Sequence, residues 1–315
     1  MCHLAALALV VLLLSHVHAQ QPPAQDLPDT IAVERDIEYA KAGDVSLKLD
    51  VYKPKAESAN PRPCVVWIHG GAWQAGNKSS GSRLLAPLVA TGDFVGVSVG
   101  YRLTDVASWP AQIFDCKAAI RYLRANANKL GIEPSKIGIW GGSAGGHLVA
   151  LLGTSGDVKE VEGDLGTIGV SSRVTCVVDY FGPADFLLYD LNSPRVNEPG
   201  NAIYKLFGGP PKEKADVAKQ ISPVTFVSKD DPPFLIMHGT KDPTVNINQS
   251  ERLYNLQKQT GVSTALVRVI DGGHGFASPE ISARVKAFFD KHLLDKDVAV
   301  SEEPIQAPPT QAKSM

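Results

Sequence analysis

A single serine stands among glycines in the stretch GIWGGSAGGH, which occupies residues 138–147. Residues 141–145 fit the pattern G-x-S-x-G, in which a tight turn from a strand into a helix leaves the serine hydroxyl exposed. Apolar residues typical of a strand precede the serine, and a helical pattern begins at Ala144. The pattern predicts a nucleophilic hydroxyl at Ser143, with a purely structural glycine turn as the alternative.

A serine hydroxyl is a weak nucleophile at neutral pH, so this chemistry needs a base within reach. His274 lies in DGGHGF, where glycines follow the last predicted strand and form a loop that can present an imidazole at the end of a sheet. We predict that His274 is the base, and a histidine with only a turn role is the alternative. The other histidines after residue 19 are predicted to pack, to hydrogen-bond or to lie in solvent: His69, His147, His238 and His292.

The base in turn needs an acid that orients its ring. Asp242 follows the predicted strand at residues 234–238 and precedes His274, which gives the order serine, aspartate, histidine along the chain. We therefore predict that Asp242 is the acid. Two rivals, Asp179 and Asp185, precede that strand by one connection. A third, Asp271, lies too close to His274 in sequence to orient its ring.

The stretch IHGGAW at residues 68–73 follows another predicted strand. Its small residues let backbone N–H groups approach a negative charge that develops on a substrate oxygen. We predict that the donors are the N–H groups of Gly71 and Ala72, together with that of Ala144 after the nucleophile. His69 is expected to hold this loop by hydrogen bonds.

Aromatic residues near the predicted catalytic edge are candidates for the substrate pocket. Trp73 and Trp109 lie in loops there. Tyr101, Tyr180 and Phe181 are weaker candidates. Packing in the core is an equal alternative for each of them, because aromatic residues serve both roles.

The elements that must position these residues alternate between strand and helix patterns. Continuous apolar runs after residue 60 favour strands buried on both faces. The alternation predicts an α/β fold with a doubly wound, mostly parallel sheet and helices on both faces. The predicted strands cover residues 45–54, 64–69, 94–101, 137–141, 174–180, 234–238 and 264–270, and the predicted helices cover 82–90, 110–130, 144–153, 247–260 and 281–293.

One catalytic domain is predicted over residues 35–293, after a linker at 20–34. Residues 183–232 are long for a plain connection, so they are expected to form a lid or a wall of the pocket. The polar residues 294–315 are expected to be a disordered tail.

The first 19 residues, MCHLAALALVVLLLSHVHA, are typical of a secretory signal that is cleaved after Ala19. Their apolar run is shorter than the roughly 20 residues that span a membrane. The sequence therefore predicts a secreted or periplasmic protein with no membrane anchor.

Charge and cysteine content exclude several classes of partner. With 31 basic and 33 acidic residues, the net charge of −2 gives no broad attraction for nucleic acid. Cys64, Cys116 and Cys176 show no C-x-x-C spacing, so neither a zinc site nor a disulfide framework is predicted. Buried thiols are the expectation, and one disulfide stays open. No metal and no organic cofactor is implied, and the oligomeric state is not predicted.

Together, the HGGAW, GGSAG, HGTKD and GGHGF motifs resemble those of the α/β-hydrolases over residues 35–293. The resemblance implies the α/β-hydrolase fold, with an eight-stranded sheet. The sequence is most similar to secreted carboxylesterases that include bacterial feruloyl- and acetylxylan-esterase-like (BD-FAE-like) enzymes, and more distantly to the hormone-sensitive-lipase family. The resemblance implies a serine carboxylesterase that hydrolyses short-chain acyl or aryl esters of the acetyl or feruloyl type, free or linked to plant polysaccharides, through an acyl-enzyme. Many relatives carry a third glycine at Ala72, so we expect a narrower acyl pocket here.

Two other functions stay open. The same triad serves amidases, formamidases and prolyl-oligopeptidase-type peptidases, although the chain has no N-terminal region of propeller length. A binding module on this fold is less expected, because such modules have lost a member of the triad and all three residues are present here.

Overall fold

The computed structural model describes residues 27–308, so the predicted signal at residues 1–19 lies outside the described residues. Within them, nine strands form one sheet. The strands are β1 (Ile31–Ala42), β2 (Val45–Pro54), β3 (Arg62–Ile68), β4 (Val95–Val99), β5 (Ile132–Gly142), β6 (Cys176–Tyr180), β7 (Phe234–Gly239), β8 (Thr264–Ile270) and β9 (Ile305–Gln306).

Helices connect most of these strands. The helix expected over residues 110–130 is interrupted at Asn126, where the backbone leaves the helical conformation. No helix within residues 27–308 is long and apolar enough to cross a bilayer. The α-helices are α1 (Gly81–Val89), α2 (Ala111–Ala125), α3 (Ala127–Leu130), α4 (Ala144–Thr154), α5 (Ala202–Phe207), α6 (Ala215–Ile221), α7 (Asn248–Thr260) and α8 (Pro279–Leu293).

The order across the sheet is β1-β2-β4-β3-β5-β6-β7-β8-β9. β1 and β2 are antiparallel, β2 is antiparallel to β4, and every pairing from β4 to β9 is parallel. One buried cluster includes Ile113 of α2 and Leu148 of α4, and a second includes Leu85 of α1 and Phe289 of α8. This confirms the predicted doubly wound, mostly parallel sheet, with nine strands instead of eight.

Both ends of the domain differ from the sequence prediction. Residues 31–34, expected in the linker, begin β1, an edge strand whose largely exposed residues give little apolar signal. Residues 294–308, expected in a disordered tail, pack on the domain: Ile305 is buried and pairs with Val269, and Tyr254 donates a 2.9 Å hydrogen bond to Glu302. A two-residue strand is too short for a sequence period to show.

The segment 183–232 packs against the rest of the domain through its first residues. The ring of Phe186 lies 5.9 Å from Trp73 and 5.2 Å from His147. The side-chain oxygen of Gln249 in α7 accepts hydrogen bonds from the N–H groups of Ala184 and Asp185 at 2.8 and 2.7 Å. This part of the segment is therefore attached both to the helix after Ser143 and to α7.

The cysteines behave as the sequence predicts. Cys64, Cys116 and Cys176 are buried and free. The disulfide that the sequence left open is not formed among them.

Candidate active site

Ser143 lies at the turn between β5 and α4, with φ 57° and ψ −121°. This conformation is rare for a residue other than glycine, and it turns the side chain out of the strand-to-helix connection. A Cβ on Gly145 would lie 2.1 Å from the carbonyl oxygen of Ile68, and one on Gly141 would lie 2.4 Å from that of Gly145. The turn can form only because glycine occupies both positions.

The three residues predicted to act together are in contact. Nε2 of His274 lies 2.9 Å from Oγ of Ser143, and Nδ1 of the same ring lies 2.7 Å from Oδ2 of Asp242. The Asp242 carboxylate is fully buried, whereas the His274 side chain is 21% exposed. A substrate can therefore approach the imidazole while the carboxylate stays away from water.

Asp242 is surrounded by hydrogen-bond donors. Its Oδ1 accepts from the N–H groups of Thr244 at 2.8 Å and Val245 at 2.9 Å, and its Oδ2 faces His274 and His238. Burial alone would raise the pKa of this carboxyl group. The contacts with His238 and His274 and the two N–H groups outweigh it and hold the pKa well below its usual value of 3.8. Asp242 is thus ionised across the neutral range.

The rival aspartates have other partners. Asp185 pairs with Arg252 at 3.3 Å, and Asp271 pairs with Lys241 at 2.7 Å. Asp179 is fully buried at the end of β6, and burial raises its pKa to about 7 even though it accepts a hydrogen bond from the N–H of Gly182. Asp242 is the aspartate that reaches His274.

The HGGAW loop packs on the serine turn. A Cβ on Gly70 would lie 2.7 Å from the carbonyl oxygen of Gly142 and 3.4 Å from Cβ of Ser143. The next residues, Gly71 and Ala72, both have positive φ, of 111° and 52°. Within residues 27–308, the N–H groups of the three predicted donors make no hydrogen bond: Gly71, Ala72 and Ala144.

The predicted pocket residues fall into two groups. Three of them are almost fully buried, which favours the alternative of packing in the core: Trp73, Tyr101 and Tyr180. Only Trp109 and Phe181 are partly exposed. The ring of Phe181 lies 4.7 Å from that of His274, so Phe181 provides an aromatic surface beside the imidazole.

Two of the buried aromatic residues, Trp73 and Tyr101, each contact a histidine. The indole N–H of Trp73 donates to Nδ1 of His147 at 3.1 Å, and Nε2 of His147 faces the carbonyl oxygen of Ile221 at 2.7 Å. Burial lowers the pKa of His147 to about 4. Tyr101 stacks on His69 with ring centroids 4.3 Å apart and donates to its carbonyl oxygen. These contacts fix the HGGAW loop and tie α4 to the end of α6.

Sequence reasoning missed two residues near the site. Phe276 is partly exposed and packs edge-on against Phe181, with ring centroids 5.2 Å apart. Its position two residues after His274 in GGHGF could have indicated it. Tyr189, in the segment 183–232, lies near enough to Asp242 for the carboxylate to add to the rise that burial causes in its pKa. No sequence signal marks this tyrosine.

The sequence of this chain matches a known protein family. A model of the BD-FAE family matches residues 49–256, which is more than half of the chain. The chain belongs to the BD-FAE family. The part of this BD-FAE chain that matches includes Ser143 and Asp242, and His274 lies beyond it.

Curated relatives of this BD-FAE protein include esterases. Esterase LipC of Mycobacterium tuberculosis is 30% identical over 233 residues, which cover 72% of this chain and 56% of LipC. Esterase LipQ of the same organism is 30% identical over 244 residues, covering 76% of this chain and 56% of LipQ. The chain thus spans about half the length of the curated relatives that it matches.

Solved structures with the same fold include carbohydrate esterases. A truncated carbohydrate esterase from gut microbiota has 37% identity and a TM-score of 0.77, covering 85% of this chain and 98% of that one. A bifunctional GH43-CE protein of Bacteroides eggerthii has 34% identity and a TM-score of 0.75, covering 83% of this chain and 35% of that one. This BD-FAE chain therefore has the α/β-hydrolase fold.

Proposed function

We propose that the protein is a serine carboxylesterase in which Ser143, His274 and Asp242 are the nucleophile, the base and the acid. The observation that carries the proposal is the continuous hydrogen-bond chain from Ser143 Oγ to His274 at 2.9 Å and from His274 to Asp242 at 2.7 Å. A nucleophile, a base and an orienting acid in contact form the arrangement that activates a hydroxyl group. The esterase names of the relatives support the same activity.

In the first half of the reaction, the Ser143 hydroxyl attacks the ester carbonyl carbon while Nε2 of His274 takes its proton. Asp242 keeps the remaining ring proton on Nδ1 and stabilises the imidazolium that forms. The carbonyl oxygen gains a negative charge, which can be bound by the N–H groups of Gly71, Ala72 and Ala144, since these make no hydrogen bond in the described part of the chain. His274 then protonates the leaving alcohol, and the acyl group stays on Ser143.

In the second half, a water molecule takes the place of the alcohol. His274 removes one proton from that water as its oxygen attacks the acyl carbon, and the same N–H groups stabilise the second oxyanion. Collapse breaks the bond to Ser143 Oγ, which recovers its proton from His274, and the carboxylic acid is released. The residues return to their starting state without a cofactor.

For the substrate, we propose acetyl- or feruloyl-type esters, including those carried by plant polysaccharides. The partly exposed rings of Phe181 and Phe276 beside His274 offer an aromatic surface on which an aryl acyl group or a sugar can pack. The similarity to the carbohydrate esterase from gut microbiota and to the bifunctional GH43-CE protein supports a carbohydrate ester as the substrate.

The test compares turnover of p-nitrophenyl acetate, methyl ferulate and acetylated xylan with that of a p-nitroanilide. We expect ester cleavage and covalent labelling of Ser143 by a fluorophosphonate. Both should be lost in Ser143→Ala, while the thermal unfolding of the variant stays like that of the wild type. Faster anilide than ester cleavage would indicate an amidase or peptidase instead. Absence of labelling in the wild-type protein would favour a binding module.

We also propose that the protein is exported, because residues 1–19 have the pattern of a secretory signal. Mass spectrometry of the mature N-terminus after expression in a secreting host tests this directly. Cleavage after Ala19 is expected, and retention of the intact N-terminus in the cytosol would contradict it.

A further inference from the structure

His238 is a second imidazole beside the proposed catalytic acid, and the mechanism above does not use it. It lies near the end of β7, and its side chain is fully buried. Nε2 of His238 lies 2.9 Å from the carbonyl oxygen of Val245 and 3.3 Å from Oδ2 of Asp242. On the other side of the ring, Nδ1 lies 2.7 Å from Oγ of Ser250 in α7.

These partners determine where the ring proton lies. The Val245 carbonyl and the Asp242 carboxylate can only accept hydrogen bonds, so Nε2 of His238 must carry the proton that faces them. Nδ1 faces the Ser250 hydroxyl, which makes no other hydrogen bond within residues 27–308 and can donate to Nδ1 when that nitrogen carries no proton. Ser250 thus fixes the tautomer in which His238 donates toward Asp242.

His238 holds Asp242 in two ways. Its N–H points to the oxygen, Oδ2, that also receives the N–H of His274. It also binds the carbonyl of Val245, whose own N–H donates to Oδ1 of Asp242 at 2.9 Å. Both carboxylate oxygens are therefore held, directly or through one residue, by a ring that cannot move without leaving buried polar groups unpaired.

We infer that His238 is a positioning residue for the proposed reaction: it orients the Asp242 carboxylate so that Oδ2 aims at Nδ1 of His274. This inference rests on the proposed function. The hydrogen-bonded set then extends beyond the three proposed catalytic residues, from Ser143 through His274, Asp242 and His238 to Ser250.

The ionisable groups around this set are few in the described part of the chain. From the loops, Asp242 and His274 face His238 or its partner, and Tyr189 lies near the carboxylate. On β8, the strand paired with β7, Arg268 is the register partner of His238, and its side chain is paired with Glu251 of α7 at 2.8 Å.

The test is a double-mutant cycle on turnover of p-nitrophenyl acetate. His238→Leu removes the donor and keeps side-chain bulk, so we expect kcat to fall by about 10- to 100-fold with KM nearly unchanged, because a misaligned acid mainly affects the transition state. In an Asp242→Asn background the same substitution should change kcat by less than about twofold. An equal loss in both backgrounds would overturn the inference, since that is the result of a merely structural role.

Two further variants keep the result interpretable if His238→Leu folds poorly. His238→Gln retains an N–H donor at a similar reach, and we expect it to recover most of kcat. Ser250→Ala removes the group that fixes the tautomer and should cost a smaller factor, about 3- to 10-fold, whereas Ser155→Ala, at a buried serine at the end of α4, should leave kcat unchanged. Equal effects of the two serine variants would contradict the inference.

A readout that needs no ester separates this inference from the proposed function. The proton between His274 Nδ1 and Asp242 should give a strongly downfield ¹H resonance that shifts or broadens in His238→Leu and returns in His238→Gln. An unchanged resonance in His238→Leu would overturn the positioning role even if the wild-type protein hydrolyses esters. A wild-type protein that hydrolyses no ester and yet shows this pattern would contradict the proposed function alone.

Discussion

Two halves of the candidate site are held in place by different forces. The nucleophile half comprises residues 138–154 and the loop 69–76, and it depends on close contacts between backbone segments. The acid–base half comprises residues 238–250 and 271–276. Its two segments also touch, since a Cβ on Gly239 would lie 2.4 Å from the carbonyl oxygen of Gly272, but its acid and base are held by hydrogen bonds. In the first half, a Cβ on Gly145 would lie 2.1 Å from a backbone oxygen, whereas in the second nothing lies within 4 Å of a Cβ on Gly273.

This difference shows which kind of change each half can tolerate. Ser143 is held in a rare backbone conformation by two chain segments that touch, so added volume should disrupt it. Asp242 and His274 lie beyond the contact at Gly239, and nothing lies within 4 Å of a Cβ on Gly273 or Gly275 beside His274. Here the removal of a single donor or acceptor should matter more than added volume. The predictions below test this contrast, beginning with the largest expected effect.

Asp242→Asn should damage the acid–base half chemically while the fold is retained. The amide cannot carry the charge that stabilises the imidazolium and favours the wrong tautomer of His274, so we expect kcat for p-nitrophenyl acetate to fall by about 10⁴-fold. Steady-state kinetics together with a thermal unfolding scan measure this. A loss below about tenfold would show that another group orients His274.

Gly145→Ala should damage the nucleophile half sterically. The new methyl group would meet the carbonyl oxygens of Ile68 at 2.1 Å and His69 at 2.7 Å, and backbone atoms cannot yield as a flexible side chain can. We expect a loss of at least about 4 kcal/mol in the free energy of unfolding, measured by chemical denaturation.

Gly273→Ala is the matched control from the acid–base half. This glycine neighbours His274, has no positive φ, and offers open space to a Cβ. We expect its free energy of unfolding to stay within about 0.5 kcal/mol of the wild-type value. If both variants lose similar stability, the proposed contrast between the two halves is wrong.

Asp179→Asn tests the effect of a buried carboxyl group that packs against the nucleophile half at Gly146. Burial raises the pKa of Asp179 to about 7 from its usual 3.8, so the native protein keeps this proton while the unfolded chain releases it above about pH 4. The contribution of Asp179 to stability therefore falls as pH rises from about 4 to 7, by an amount on the order of 4 kcal/mol at most. The neutral amide has no such loss.

Chemical denaturation of both proteins at several pH values measures this difference. We expect the stability of Asp179→Asn relative to the wild type to improve between pH 4 and 7 and then to stay constant. A difference that does not change with pH would mean that Asp179 ionises as readily in the native protein as in the unfolded chain.

Ala72→Gly should change substrate preference with little effect on stability. Ala72 has φ 52°, a conformation that glycine adopts without strain, so the change should alter stability by less than about 1 kcal/mol. If the methyl group narrows the acyl pocket, esters of bulky tertiary alcohols should gain turnover relative to p-nitrophenyl acetate. No gain in that ratio would contradict the expectation drawn from the third glycine of the relatives.

Much of the site was predictable because its signals are local in sequence. The glycines around Ser143 reflect a turn that no other residue can form, and the loops with Asp242 and His274 directly follow β7 and β8. Parallel strands bring their carboxyl ends to one edge, so residues far apart in sequence meet there. The order of the motifs was thus enough to predict which three side chains come together.

Other features were not predictable because they depend on distant contacts. The exposed edge strand β1 and the two-residue β9 carry too little apolar pattern to be read. Trp73, Tyr101 and Tyr180 were candidates for either the substrate pocket or the core, and neighbours from other segments bury them. Aromatic residue type alone cannot distinguish a pocket wall from a packed core.

The amino-acid sequence by itself determined the kind of fold, the serine turn, and which aspartate and histidine meet Ser143. Turn geometry and strand order follow from residues that are near in the chain. Only the tertiary structure decided which aromatic side chains stay partly exposed. It also decided that His238 contacts Asp242 and that Ser250 contacts His238. Burial and hydrogen-bond pairing depend on which distant segments pack together, and no local pattern records that choice.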